Sequence, residues 1–235
     1  MTEYQFFVVF HKKIFDECYE IFPEDILYKY FTFIAVNEKI EKQYPTNKKY
    51  KVINEWELPI YDKSFQERGY NENSVLYHVY ANNLHKEFKY VGFFQYDMFF
   101  ATNIVDFLNQ NIVSPTLFGY TFEDCITNFN ERNTLKFLVN DYINFYNKPF
   151  SYKKIALNNA YIIPVENYEN IMRWVTQLYD KLYPWAFRPP NQSHFGHVGG
   201  IYERIMGFVL AGENLKDVVI EGHVLHDHKY KRLCN

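Results

Sequence analysis

Several groups of residues in this 235-residue chain carry chemistry by type and spacing. Asp97 closes the run Tyr90-Val-Gly-Phe-Phe-Gln-Tyr-Asp97, which is apolar until its end. A carboxylate there is costly to desolvate unless it is paired, solvated in a cleft or bound to a cation. A divalent metal bridging a diphosphate would be such a partner, since hard cations take carboxylate and phosphate oxygens together. The alternative is a strand-end Asp that caps a helix at Phe99 or Phe100.

Gly199-Gly200 stand ahead of an expected helix over Ile201–Ala211. Free N–H groups at that positive helix end would favour an anion. Glu203 and Arg204 then fall in the first turn, where a carboxylate can act as a base and a guanidinium is a planar fork for an anion such as a diphosphate. Alternatively Glu203 only complements the helix dipole. Asp124, in Phe122-Glu-Asp-Cys125, is a second candidate base, or another helix cap.

Near the C-terminus Glu221-Gly-His-Val-Leu-His-Asp-His228 places His223, His226 and His228 within six positions. Neutral imidazole is a good metal ligand, so the cluster suits a metal shell or a dedicated zinc site; an exposed turn is the plainer alternative. His194 and His197 flank Phe195-Gly196 in a proline-rich loop, 184–200, and lie near an acceptor if that loop covers a cleft. As loop hydrogen-bonders they would have no such role.

The elements that must position these groups follow from hydrophobic pattern. Tyr4–Phe10 reads as a buried parallel strand ending in His11-Lys12, a helix follows over Ile14–Tyr28, and Tyr30–Val36 is a second strand ending at Asn37. Glu38–Gln66 is polar, with Pro45, Pro59 and a short strand near Lys51–Ile53. A helix runs from the caps of Asn71–Ser74 to about Leu84. The strand Tyr90–Asp97 leads to a helix over Phe100–Gln110, a turn or short strand at Ser114–Tyr120 and a helix over Leu135–Tyr146. Asn158–Pro164 reads as a strand and Tyr168–Tyr183 as an amphipathic helix. The β-α-β opening predicts an open α/β sheet, in which ligands collect outside the carboxyl ends of strands. The polar strand ends His11-Lys12, Asn37 and Gln95-Tyr96-Asp97 are then its crevice.

Composition agrees with a folded enzyme-sized domain. Hydrophobic residues make up 48% and aromatics 20%, with 22 Tyr and 23 Phe. Most such rings fill cores, and the others offer flat stacking faces to a ring-shaped ligand. A net charge of -3 without like-charge blocks speaks against nucleic acid as a partner. The cysteines Cys18, Cys125 and Cys234 lie far apart with no paired spacing, which predicts a reducing compartment and a cytoplasmic protein. No run reaches the roughly 20 apolar residues of a membrane span, although peripheral membrane contact stays open.

Taken in order, the strand ending in His-Lys, Gly69-Tyr-Asn-Glu-Asn-Ser-Val-Leu-Tyr77, Tyr90–Asp97 and Gly200-Ile-Tyr-Glu-Arg-Ile-Met206 resemble small capsular-polysaccharide glycosyltransferases and their large-DNA-virus relatives. The likeness runs from about residue 4 to 210. It implies a single GT-A (Rossmann-like) α/β domain over 1–235, with a mixed, mostly parallel sheet flanked by helices. Its nucleotide-sugar half would be about 1–100 and its acceptor half about 101–235. It also implies a nucleoside-diphosphate sugar donor, UDP-linked by preference, a glycan acceptor, and Mn2+ or Mg2+ held by an Asp-x-Asp motif. Gln95 stands where the first Asp of that motif would be. By the same likeness His11, Lys12 and Asn37 face base and ribose, Tyr70 and Asn71 support the donor near Asp97, and a C-terminal histidine, His226 ahead of His228 and His223, completes the metal shell. Two other readings are a non-catalytic nucleotide-sugar or glycan-binding module and a metal-dependent hydrolase built on the histidine cluster.

Overall fold

The computed structural model describes residues 3–46, 49–70, 72–110, 119–120, 132–147, 155–156, 160–179, 198–212 and 224–226. Its frame is a five-stranded sheet in the order β3-β2-β1-β4-β8, with β1 Tyr4–Phe10, β2 Phe31–Ala35, β3 Val52–Asn54, β4 Tyr90–Gln95 and β8 Tyr161–Pro164. β1 pairs in parallel with both β2 and β4, and β2 with β3, whereas β8 runs antiparallel along β4 from Tyr161 to Pro164. This is a mixed, mostly parallel α/β sheet, parallel where the buried strand runs predict it and mixed as the family resemblance implies.

Alternation along β1 divides the core into two layers. Phe7 and Val9 face one side, against residues of α3 (Asn73–Ala81), α6 (Val165–Val175) and α7 (Val198–Gly212). Tyr4, Phe6, Val8 and Phe10 face the other, against α1 (Glu24–Tyr30), a 3-10 turn at Asp16–Cys18 and α4 (Ile104–Gln110). The aromatic surplus fills this second layer with edge-to-face pairs such as Phe6–Phe31 at 5.0 Å and Tyr19–Phe33 at 5.0 Å. The remaining described elements are α2 (Ser64–Glu67), β5 (Met98–Phe100), β6 (Gly119–Tyr120), α5 (Arg132–Tyr146), β7 (Ile155–Ala156) and β9 (Val224–His226).

Gly92 shows why β4 takes a glycine among large rings. A Cβ there would lie 2.7 Å from Phe6 Cδ1 and 3.1 Å from Ile162 Cγ1, so β1 and β8 pack against bare backbone. Gly92→Ala is therefore expected to destabilise the protein by about 1–3 kcal/mol through overpacking, read as a lower urea midpoint at unchanged slope.

Three expectations need correction. The helix expected over Ile14–Tyr28 is replaced by the 3-10 turn at Asp16–Cys18 and the later helix α1. Pro23, with φ -55°, is the N-cap of α1, and its ring and missing N–H bar a helix running through it. The helix expected from Phe100 starts at Ile104, because Met98–Phe100 form β5 and pair with β9, while Asn103 Oδ1 caps α4 through the Val105 N–H at 3.2 Å. Asp97 therefore does not cap a helix at Phe99 or Phe100. Finally, Val198–Gly212 is helical throughout, so Gly199 and Gly200 lie inside the first turn rather than ahead of it.

Candidate active site

The strand order reverses between β1 and β4, since β2 and β3 build outward on one side of β1 and β4 lies on the other. In doubly wound sheets the ligand crevice opens outside the carboxyl ends at such a switch point. Here those ends deliver His11 after β1 and Gln95-Tyr96-Asp97 at the end of β4, with Asn37 after β2 and Glu55 after β3 completing the edge.

His11 and Gln95 project on the α3 side. Gln95 Nε2 donates to Glu72 Oε1 at 3.1 Å, and Glu72 Oε2 lies 3.9 Å from His11 Nε2. Glu72 is the N-cap residue of α3, yet its side chain makes no capping hydrogen bond and turns to the strand ends instead. A carboxylate thus arrives beside Gln95 from a different element. The Tyr96 ring meets the His11 ring edge-on at 5.7 Å.

His11 keeps 22% of its side-chain surface exposed, so an edge of the ring reaches the crevice. Burial of the remainder pulls its imidazole down to about 4, with the Lys42 ammonium adding to the effect and the carboxylates of Glu55 and Asp97 opposing it. At neutral pH the ring is uncharged, and at 3.9 Å its contact with Glu72 is neither a salt bridge nor a hydrogen bond. The unfolded chain takes up a proton near pH 6.5 that the folded chain refuses until about pH 4, so stability falls as pH drops through that window. Relative to His11→Asn, the native protein is expected to lose on the order of 2–3 kcal/mol between pH 7.5 and pH 4, measured by urea unfolding at each pH.

Asn37 adopts φ 61°, a left-handed conformation that Asn tolerates. That turn aims its carbonyl at the Lys42 ammonium, which donates to Asn37 O at 2.7 Å and Ile40 O at 2.5 Å and lies 5.2 Å from the Trp56 ring centre. A held cation beside a half-buried indole gives this edge a fixed positive charge and an aromatic face. Lys12 is half-buried, and its carbonyl accepts the Gln43 N–H at 2.8 Å.

Asp97 lies in the tight turn between β4 and β5 and is fully buried. It is near enough to both His11 and the buried Tyr19 to bias their titration. Its neighbour Met98 pairs through the backbone with His226 of β9, which brings the C-terminal segment alongside the turn.

Behind the crevice lies a buried polar network. Glu55, wholly buried in the 3-10 turn Glu55–Glu57, accepts from Ser74 Oγ at 2.5 Å and from Gln66 Nε2 at 2.9 Å. The third contact is His78 Nδ1, 2.9 Å from Glu55 Oε1. The Asp62 N–H donates to His78 Nε2 at 3.0 Å, so that nitrogen carries no proton and Nδ1–H is the donor to Glu55. The carboxylate is satisfied on both oxygens, and it ties the end of β3 to the first turns of α3, from which Glu72 projects.

The rim is closed from the far end of the chain. The Gly199 N–H donates to Gly69 O at 3.2 Å, and Asn73 Nδ2 donates to Gly199 O at 3.0 Å. The α7 start is thereby docked on the turn before α3, where Gly69 has φ +78°. The Gly199 N–H is engaged by the protein itself rather than open to an anion.

His11, Gln95, Tyr96 and Asp97 are thus brought together, with Asn37 and Lys12 along the same edge. Tyr70 is not: its ring is buried among Phe65, Tyr179 and Tyr202, and its hydroxyl donates to Tyr179 O at 2.6 Å. Arg204 is buried and donates to Gly200 O at 2.7 Å, while Glu203 is partly exposed beyond the first turn of α7. Asn71, Asp124, His194, His197, His223 and His228 lie outside the described residues. Glu72, Glu55, Lys42 and His78 were missed by sequence reasoning. Glu72 was visible inside Gly69-Tyr-Asn-Glu-Asn-Ser74, but as one of several polar residues before a helix.

No helix among the described residues is long and apolar enough to cross a membrane. The sequence matches no family model and no curated protein. Among solved structures the chain is similar to the apo structure of the bifunctional glycosyltransferase WbbM, with a TM-score of 0.59 and 13% identity over 95% of this chain. The match spans 45% of the WbbM chain. It is also aligned with apo mouse xyloside xylosyltransferase 1, at a TM-score of 0.39 and 12% identity over 91% of this chain and 83% of that one. The α/β fold described above is therefore one that a glycosyltransferase also adopts.

Proposed function

We infer that the protein is a glycosyltransferase that binds a nucleoside-diphosphate sugar, UDP-linked by preference, in the crevice at the β1/β4 switch point and passes the sugar to a glycan hydroxyl. The observation that carries this reading is the convergence of His11, Glu72, Gln95 and Asp97 at that switch point, in a fold shared with WbbM. The nucleotide-sugar half is about 1–100 and the acceptor half about 101–235. Asn37, Lys12 and His11 line the side for base and ribose, and the Lys42 ammonium stands where it can meet phosphate charge.

We assign a divalent cation, Mn2+ or Mg2+, to this site because the Asp97 carboxylate is a donor that hard cations take. Among the described residues no group of three or more His, Cys, Asp and Glu side chains is assembled for a metal. Asp97 would hold the cation, with His226 contributed by the strand beside it and His228 the other histidine candidate, and diphosphate and water oxygens would fill the remaining positions. When bound, the cation supplies charge stabilisation for the departing diphosphate. Glu203 and Asp124 are the candidate bases for the acceptor hydroxyl, to which Glu72 is added because it is partly exposed at the crevice. We assign His194 and His197, which lie outside the described residues, to the acceptor side.

A thermal-shift screen of UDP-, GDP- and dTDP-sugars with and without Mn2+ tests the reading. A UDP-sugar with Mn2+ is expected to raise the melting temperature, since a ligand at about 100 times its Kd adds about 2.7 kcal/mol. If no nucleotide sugar shifts the transition with or without Mn2+, the crevice is not a donor site. A donor-hydrolysis assay then separates a transferase from a binding module without turnover.

A further inference from the structure

We propose that the protein carries a second binding site, for a neutral oligosaccharide, at the amino edge of the sheet, at the opposite end of α3 from the crevice. α3 starts beside Glu72 and ends at Ala81, where a cavity of about 490 Å3 opens between its last turn, the 83–86 segment and α6. Tyr80, Asn83, Lys86, Glu166, Glu169 and Arg173 line it. A further cavity of about 260 Å3, reaching Thr32 and Lys51, shares Asn83 with the first. The two together make a run along the sheet edge suited to an extended chain rather than a single small molecule.

The lining selects the ligand class. Two carboxylates and two cations leave it without net charge, which disfavours a phosphate or polyanion as much as a metal ion or polyamine. Amides, carboxylates and a guanidinium offer the paired donors and acceptors that a polyhydroxylated surface can satisfy, and Tyr80 adds a ring for its apolar C–H face.

The wall is rigid where it matters. His85, wholly buried, stacks on Tyr80 with centroids 5.7 Å apart at 14° and places Nε2 3.0 Å from Glu169 Oε1. Tyr168 meets the same imidazole edge-on at 5.1 Å. One buried side chain therefore fixes both the aromatic face and a carboxylate, which lowers the ordering cost of binding. Arg173 is likewise steered by a hydrogen bond to Asn170 Oδ1. An uncharged glycan held here would lie a helix length, roughly 13 Å for nine residues, from the crevice.

The test is a heteronuclear NMR titration of the full chain with uncharged linear tetrasaccharides of glucose, galactose or mannose, without nucleotide or metal. At least one is expected to bind saturably, with Tyr80→Ala weakening it about tenfold. Arg173→Ala, on the exposed face of α6, is expected to weaken it as well, and Asp97→Ala to leave it unchanged. Absence of saturable binding up to about 10 mM, or binding that Arg173→Ala and Tyr80→Ala both leave intact, overturns the proposal. If Tyr80→Ala fails to fold, Arg173→Ala decides alone. Since no donor is present, a failed nucleotide-sugar screen would not count against this site, nor would its failure count against the crevice.

Discussion

Asp97→Ala is expected to abolish metal-dependent donor binding while leaving the far-ultraviolet circular dichroism and the cooperativity of unfolding intact. Loss of residues that only orient a metal ligand costs about 10–100-fold in affinity, so removing the ligand itself should cost at least about 100-fold. Asp97 is the one carboxylate in the turn between β4 and β5, it lies within electrostatic reach of His11, and the β9 backbone at His226 pairs with the next residue. Isothermal calorimetry with UDP and Mn2+ decides it. If the variant binds both as the native protein does, the donor site is not at this turn.

The second large effect concerns stability. Glu55→Ala is expected to destabilise the fold by about 3–5 kcal/mol, since it leaves the buried Ser74 hydroxyl and His78 Nδ1–H, and a Gln66 N–H at the edge of the network, without their shared acceptor. For a domain of this size that corresponds to a fall in melting temperature of roughly 10 °C. Glu55→Gln keeps one acceptor oxygen but turns an NH2 toward existing donors, so its loss should be intermediate. Calorimetric scans of the two variants check the order. A loss below about 1 kcal/mol for Glu55→Ala would mean that the network is solvated rather than structural.

Much of the frame was legible because its signals are local. Tyr4–Phe10 reads as a strand from its apolar run, interrupted only by Gln5, and is one, with the same ends. The strand that closes on Gln95 was found with its polar edge, and the cap-rich segment before Asn73 marked the start of α3. The single helix expected over Ile14–Tyr28 is divided by Pro23 into the 3-10 turn at Asp16–Cys18 and α1. Phe99-Phe100 resembled a helix start because their strand partner lies more than a hundred residues away, at 224–226.

The site divides along the same line. His11, Gln95 and Asp97 are strand ends, and strand ends can be read from the chain. Glu55 and Glu72 derive their roles from what faces them, Ser74 and His78 in one case and Gln95 and His11 in the other. No spacing along the sequence encodes those pairings. Tyr70 shows the converse: a residue inside a family-like motif whose ring and hydroxyl both serve the core.

The closure of the rim by Asn73 on Gly199 has a consequence for how the molecule is born. The two residues are 126 positions apart, so the contact carries a large loop-closure entropy and belongs to the slow, long-range part of folding. During synthesis β1 to β4 emerge first together with α3, bearing the crevice residues His11, Glu72 and Gln95, and they must wait for α7 before the turn at Gly69 is pinned. A nascent or truncated chain ending near residue 190 would therefore display strand ends without their clamp. Synthesis itself orders the two events, sheet first and closed crevice last.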